Sequence, residues 1–226
     1  MQPGEQVLWG LTDESPESEV LEKAFSLIGA IRFIPAATTN EQGGAECRIL
    51  DFNRLSDGQL YFMTSRGKPT YRQLRHQPRL VLNTLIDQRY SLRLTAQVEE
   101  ESRPEIWEEF FRLNPGTKLM YRKSFDIVAL FRLTRGEGEM FHLYESERIR
   151  RLRFAFGGET PRPMTYAITG RCTGCGICRE NCVQRAIHQG PDGKYFIRYM
   201  DCDDCGICYT RCPMAGRALV SHLSDA

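Results

Sequence analysis

Eight of the nine cysteines in this chain lie between residues 172 and 212, and they follow one spacing twice. Cys172, Cys175, Cys178 and Cys182 read C-x2-C-x2-C-x3-C. Cys202, Cys205, Cys208 and Cys212 repeat it 30 residues later. The windows CTGCGICRENCV and CDDCGICYTRCP agree at six of twelve positions, including the Gly-Ile pairs 176–177 and 206–207. Such agreement marks an internal duplication. Whatever the rest of the chain does, this segment must fold around its own sulfurs.

Disulfides would be the first expectation in a small exported protein. Met1–Gly10 carries no positive charge and no apolar run of a secretory kind. A cytoplasmic chain with reduced thiols is therefore expected, and thiols in that setting act as metal ligands. The 226 residues are 41% hydrophobic, enough to bury a core. Mean hydropathy is −0.42, and no apolar run reaches the ~18 residues of a membrane span. Thirty basic and 29 acidic residues leave a net charge of +1. That balance lacks the electrostatic footprint of a general nucleic-acid binder.

The x2 steps suit an iron–sulfur cubane. Three closely spaced thiolates wrap a tight loop around three corners, and Gly174, Gly176 and Gly206 permit close backbone approach. Structural zinc is the competing reading, although four-cysteine zinc sites usually pair two separate x2 knuckles. Residues 166–222 resemble a bacterial-type two-cluster [4Fe–4S] ferredoxin domain. The resemblance rests on both cysteine runs, Ala186-Ile187, the Pro191-Asp192-Gly193 turn and Cys212-Pro213. Val183 departs from the family, which usually has proline there. In this pattern the fourth cysteine of each run serves the other cluster. The resemblance thus implies one cluster on Cys172, Cys175, Cys178 and Cys212, and a second on Cys202, Cys205, Cys208 and Cys182.

The first 160 residues read differently. Ser15 and Pro16 suit the start of a helix whose apolar face is Val20, Leu21, Ala24, Phe25 and Ile28, with Gly29 as its stop. Residues 90–99 alternate apolar and polar, as a half-buried strand does. Strand runs are also expected near 31–38, 46–55, 59–65, 80–86 and 126–134, with a hairpin turn at Ser56-Asp57-Gly58. Glu139–Tyr144 is expected to pair back after Gly136 and Gly138. Ser102 and Glu105 read as a capping box opening a helix through Leu113. Short antiparallel strands with few helices imply a mainly β barrel or partial barrel. No dinucleotide fingerprint or P-loop occurs.

Within this region, Cys47-Arg48-Ile49-Leu50-Asp51-Phe52, Gly58–Ser65 and Gly67-Lys68-Pro69 are similar to the pyridoxamine 5′-phosphate oxidase-like flavin-binding family. The resemblance spans roughly residues 20–145. It implies a split β-barrel, a homodimer and FMN in the subunit cleft; other members hold haem or a deazaflavin. A flavin phosphate is a dianion that needs fixed donors, and Thr64, Ser65 and Lys68 supply hydroxyls and an ammonium after one strand. Arg48, on the strand expected to neighbour it in the hairpin, is expected at the phosphate or ribityl chain. Ile49, Leu50, Phe62 and Met63 are expected beside the ring, with Tyr71 and Arg72 as further contacts. The Arg-x-His pair with which true pyridoxamine phosphate oxidases grip substrate does not occur, so vitamin B6 chemistry is not expected.

Three parts are therefore expected: a split-barrel domain at 1–156, a linker at 157–163, and an α+β ferredoxin-like domain at 164–226. Arg148, Arg150, Arg151 and Arg153 read as a solvated basic edge or an anion dock, Cys47 as a buried small hydrophobe, and His142 as a structural histidine. Clusters move single electrons and a flavin converts these to electron pairs. The expected function is an FMN- and [4Fe–4S]-dependent oxidoreductase exchanging electrons with an external ferredoxin-like partner and a small substrate. An electron-transfer subunit without its own substrate, or a redox sensor, remains the alternative.

Overall fold

The computed structural model describes residues 6–8, 10–12, 14–86, 90–142 and 151–222. In chain order its elements are β1 (Gln6–Leu8), β2 (Leu11–Thr12), α1 (Glu17–Ile31), β3 (Phe33–Thr39), β4 (Ala45–Asp51), β5 (Asn53–Arg54), β6 (Leu60–Ser65), α2 (Pro69–His76), β7 (Arg79–Ile86) and β8 (Tyr90–Glu100). There follow α3 (Pro104–Leu113), α4 (Pro115–Met120), β9 (Val128–His142), β10 (Arg151–Phe156), β11 (Tyr166–Ile168), α5 (Ile177–Glu180), β12 (Ile187–Gln189), β13 (Tyr195–Ile197), α6 (Ile207–Arg211) and β14 (Leu219–Ser221). Two compact units emerge. One spans Pro16–Glu139 and Arg153–Pro161; the other holds the described residues of Met1–Ser15, Met140–Leu152 and Arg162–Ala226.

The larger unit is built on a curled antiparallel sheet, ordered β4-β3-β7-β8-β9-β6-β5, with β10 added against β9. The ends of this sheet turn toward each other, since β4 and β6 come within 8 Å between Cα atoms without pairing. Period-two alternation fixes which face is inside. Ile34, Ala36, Leu80, Leu82, Leu92 and Leu94 are buried, and the strand residues between them face out. Phe62 lies fully buried, stacked on Phe131 at 5.5 Å and edge-on to Phe52 at 5.4 Å. A second apolar cluster of Leu55, Tyr61, Ile106, Phe110, Phe111 and Leu130 seats α3 on the other side of β6. Each such side chain contributes about 1.5–3 kcal/mol when fully buried.

Several expectations need correction. The run at 46–55 is two strands, because Phe52 leaves the ladder to enter the core. Glu139 does not start a returning strand: β9 runs straight through Gly136 and Gly138 to His142, and residues 143 and 144 lie outside the described set. Those glycines admit neighbouring main chain. A Cβ on Gly136 would stand 2.1 Å from the Thr95 carbonyl oxygen, and one on Gly138 2.6 Å from that of Arg93. Gly29 is likewise interior to α1, pressed against Arg54, where a Cβ would lie 2.7 Å from the Arg54 Cβ. The helix ends instead at Arg32, which takes a left-handed φ of 64°.

Neither expected side-chain cap forms. Pro16 holds the N-cap of α1, and the Ser15 hydroxyl accepts from the Thr12 N–H at 3.0 Å. Arg103 caps α3, while the Glu101 carboxylate accepts from the Ser102 and Arg103 N–H groups, both at 2.9 Å. The hairpin turn at Asp57-Gly58 does form, with Gly58 at φ 77° donating to Leu55 at 2.9 Å.

The smaller unit carries three short antiparallel ladders, β1 with β2, β11 with β14 and β12 with β13. Ile187, Ile197 and Leu219 share its buried core with Cys178 and Cys208. Pro191-Asp192-Gly193 forms the β12–β13 turn, with Gly193 at φ 79° donating to Gly190 at 3.0 Å. Among the described residues, no helix is long and apolar enough to cross a membrane.

Candidate functional site

The two cysteine repeats fold alike. In each, a glycine at left-handed φ (Gly176 at 82°, Gly206 at 78°) starts a short helix, α5 or α6, that carries the third cysteine inward. Cys178 and Cys208 are buried, whereas Cys175 and Cys205 are exposed at the loop tips. Cys172, Cys175, Cys178 and Cys212 line one cavity. Cys182, Cys202, Cys205 and Cys208 line another. The fourth cysteine of each run thus stands with the first three of the other.

The surroundings leave little slack. A Cβ on Gly174 would meet the Gly193 carbonyl oxygen at 2.7 Å, and one on Gly206 the Tyr166 hydroxyl at 2.5 Å. Backbone N–H groups reach the sulfurs: Gly174 and Tyr195 donate to Cys172 at 3.5 Å each, Ala186 to Cys182 at 3.3 Å and Asp204 to Cys202 at 3.4 Å. Burial pushes the Cys202 thiol up to about 11 and the Cys208 thiol up to about 12, and raises Cys178 as well. Thiolates buried in this way need positive charge beside them. Val183 is exposed and starts a turn closed by the Arg185 N–H on the Cys182 carbonyl at 3.1 Å. The missing proline therefore does not abolish that turn.

In the larger unit a polar cluster sits where β3, β4 and α2 meet. Arg48, on β4, donates to the Thr38 hydroxyl, to Gln73 Oε1 at 3.0 Å and to Glu46 at 3.1 Å. The Thr38 hydroxyl in turn donates to Gln73 Oε1 at 2.5 Å. Thr38 and Gln73 are buried. Glu46, Arg72, Gln73, Pro69 and Asn40 line an open cleft of about 320 Å³ here. Hydrogen bonds from Gln73 and Asn40, with the Arg48 charge, hold the Glu46 carboxyl below its usual range.

Arg48 is not on the hairpin partner of β6: β4 pairs with β3, and β6 pairs with β5 and β9. It meets α2 because the sheet curls. Thr64 is buried and Ser65 half-buried at the end of β6, and the Ser65 carbonyl accepts from the Lys68 N–H at 3.0 Å. Lys68 caps α2, and both Lys68 and Arg72 are exposed. The Tyr71 hydroxyl is held by Arg66 at 2.5 Å and Glu100 at 3.2 Å.

Other expected contacts are scattered. Leu50 faces the interior and Ile49 the exterior, 58% exposed. Met63 packs on the cluster under α3, and Phe62 is sealed between two rings. Thr38, Glu46 and Gln73 were missed by sequence reasoning. A signal existed, since α2 buries Thr70, Gln73 and Leu74, and a buried glutamine demands partners.

Cys47 is exposed on β4, not buried, because it falls on the outward parity of an edge strand. Arg153 is not a solvated edge residue: it is half-buried, 3.5 Å from the buried Glu139 carboxylate. Arg151 lies over the Phe141 ring at 5.3 Å, and Arg148 and Arg150 fall outside the described residues. His142 is buried on β9.

Residues 171–217 match a family model described as a 4Fe–4S dicluster domain. Among solved structures, the chain is similar to a NimC/NimA family protein from Clostridium acetobutylicum, with 22% identity, 62% of this chain and 92% of that one covered, and a TM-score of 0.50. The larger unit shares that protein's fold, a split β-barrel, and a 4Fe–4S dicluster domain match follows it in the chain. The split barrel is also similar to PhzG from Burkholderia lata 383, solved with tetrahydrophenazine-1-carboxylic acid (15% identity, 65% and 91% covered, TM-score 0.49). A pyridoxamine 5′-phosphate oxidase-related, FMN-binding protein from Nostoc punctiforme aligns at 14% identity over 63% and 98% of the two chains, with a TM-score of 0.37. No curated protein matches the chain.

Proposed function

We propose that this protein is an iron–sulfur flavoprotein oxidoreductase that passes electrons between two [4Fe–4S] clusters and an FMN held by the split barrel. The observation that carries the reading is the pair of cavities, each lined by four cysteines, in a chain that also has this barrel. Cys172, Cys175, Cys178 and Cys212 would hold one cluster, and Cys202, Cys205, Cys208 and Cys182 the other. The donor set suits this group: four sulfurs surround a space that close-packed glycine backbone keeps open. The doubled C-x2-C-x2-C-x3-C run favours a multi-iron cluster over structural zinc, whose four-cysteine sites usually pair two separate x2 knuckles.

When bound, the clusters supply one-electron transfer and the flavin supplies exchange between one and two electrons. This chain's residues bind and orient. Lys68, Arg72 and the N–H groups at the start of α2 offer positive charge to a flavin phosphate. Thr64 and Ser65 add hydroxyls, and Arg48, fixed by Thr38 and Gln73, keeps its place beside the cleft. The apolar outer face bearing Phe33, Ile49, Val81 and Leu85 would pair two barrels as a homodimer. The redox partner would be a ferredoxin-like protein, and the substrate a small organic molecule. Residues 157–163 would serve as the joint between the domains.

The test is anaerobic isolation of the full chain followed by iron, acid-labile sulfide and extracted-flavin analysis on one sample. About eight irons, eight sulfides and one flavin per chain are expected. Zinc with no flavin would overturn the reading.

A further inference from the structure

The two cysteine quartets are near-copies in backbone but opposite in charge. The residues adjoining Cys172, Cys175, Cys178 and Cys212 include Arg171, Arg179 and Arg211 and no acid. Those adjoining Cys182, Cys202, Cys205 and Cys208 include Asp201, Asp203 and Asp204 and no base. The three arginines are exposed and screened by water. Asp203 and Asp204 are half-buried. Asp201 is buried and offset by Arg198, whose guanidinium lies 3.5 Å away.

Asp203 and Asp204 meet neutral donors instead. Asp203 accepts from the Cys205 N–H at 3.2 Å and from the Gln184 amide at 3.5 Å. Asp204 accepts from the Thr165 N–H at 3.1 Å and from its hydroxyl at 2.6 Å. Asp204 also holds φ 65°, where the first repeat has Gly174 at 73°. A carboxylate has been set on a backbone position that favours glycine, and Thr165 anchors it there. Hydrogen bonds to sulfur do not separate the quartets, since each receives two of the N–H donors named above.

We propose that Asp203 and Asp204 make the cluster on Cys202, Cys205, Cys208 and Cys182 the lower-potential member of the pair, so that electrons run from it to the cluster on Cys172, Cys175, Cys178 and Cys212. The inference rests on the dicluster reading above. Reduction adds one negative charge to a cluster, and nearby carboxylates oppose that addition. The step is a transfer of one electron: one cluster is oxidised by one electron as the other is reduced by one, and no proton or bond moves. An electron that reaches the Asp203-side cluster therefore passes downhill to the other cluster.

The test is a potentiometric titration of the anaerobic full chain with dithionite, followed by electron paramagnetic resonance, with iron and sulfide measured on the same samples. Two resolved one-electron cluster steps are expected. Asp203→Asn should raise the lower step and leave the upper one, and Asp204→Asn, which keeps an acceptor for Thr165, should do the same. Thr173→Asp should lower the upper step. If both Asp variants leave the lower step unmoved, or move the upper one, the asymmetry is overturned while a full complement of about eight irons keeps the dicluster reading. A chain lacking iron overturns both.

Discussion

Arg48 and Gln73, 25 positions apart in the chain, are joined at 3.0 Å between strand β4 and helix α2. The bond matters because Gln73 Oε1 accepts from the Thr38 hydroxyl as well, so one buried amide oxygen anchors a guanidinium. It fixes the wall of the cleft that Arg72 and Pro69 also line.

If the start of α2 receives the flavin phosphate, Lys68→Ala and Arg72→Ala should each weaken flavin retention about tenfold, the loss of one charge-assisted hydrogen bond of roughly 1.5 kcal/mol. Both residues are exposed, so folding should be unaffected. Flavin extracted per chain after dialysis reads the effect. Unchanged retention in both would remove these residues from the site.

Cys178→Ser should halve the iron, from about eight to about four per chain, because a buried cysteine of one quartet is lost. Cys47→Ser, on an exposed edge strand of the other unit, should change nothing. Equal iron in the two variants would contradict the assignment.

Gly136→Ala should destabilise the barrel by about 3 kcal/mol, since the new methyl would collide with main chain that cannot rotate away. Gly67→Ala, where a Cβ meets nothing within 4 Å, is the control. Thermal unfolding should separate the two by several degrees.

Glu101 is buried, and the Arg103 guanidinium, with the N–H groups of Arg103 and Ser102, lowers its carboxyl to about 2. The unfolded value is about 4.3. A lowered folded-state value means that the stabilisation is complete above the unfolded value and is lost as pH falls toward 2. Glu101→Gln should therefore cost about 2 kcal/mol at neutral pH and flatten acid unfolding between about pH 4 and 2. Denaturant titrations at pH 7 and pH 3 check this; an equal cost at both would show that the charge is not responsible.

Ile49→Lys places a charge on the apolar face of β3, β4 and β7. Sedimentation of the variant should show a monomer where the parent sediments as a dimer. A parent that is itself monomeric would remove the pairing proposed for that face.

The cysteine loops of the smaller unit were legible because their residues are covalently local. Three cysteines at x2 steps and the glycines between them set the loop, and the duplication announces the second loop. The barrel was legible as alternation, and strands near 80–86 and 90–99 appear within a residue or so of their expected ends. The expected cap at Ser15 failed because its hydroxyl accepts from the Thr12 N–H instead, and the box at Ser102 failed because the Glu101 carboxylate takes the Ser102 and Arg103 N–H groups. Gly29 and Gly136 were misread because a glycine that ends an element and one that admits a neighbour look identical in sequence.

By itself, then, the sequence determined the two cysteine quartets, their spacing and the period-two alternation of the strands, all of which depend on neighbours a few residues away. Only the tertiary structure decided that Arg48 meets Gln73, that Cys47 faces out, and that Asp203 and Asp204 stand half-buried at one quartet while the arginines of the other are exposed. Those outcomes depend on sheet curl, strand parity and chain crossings. Each is set by packing among residues tens of positions apart, which local spacing does not encode.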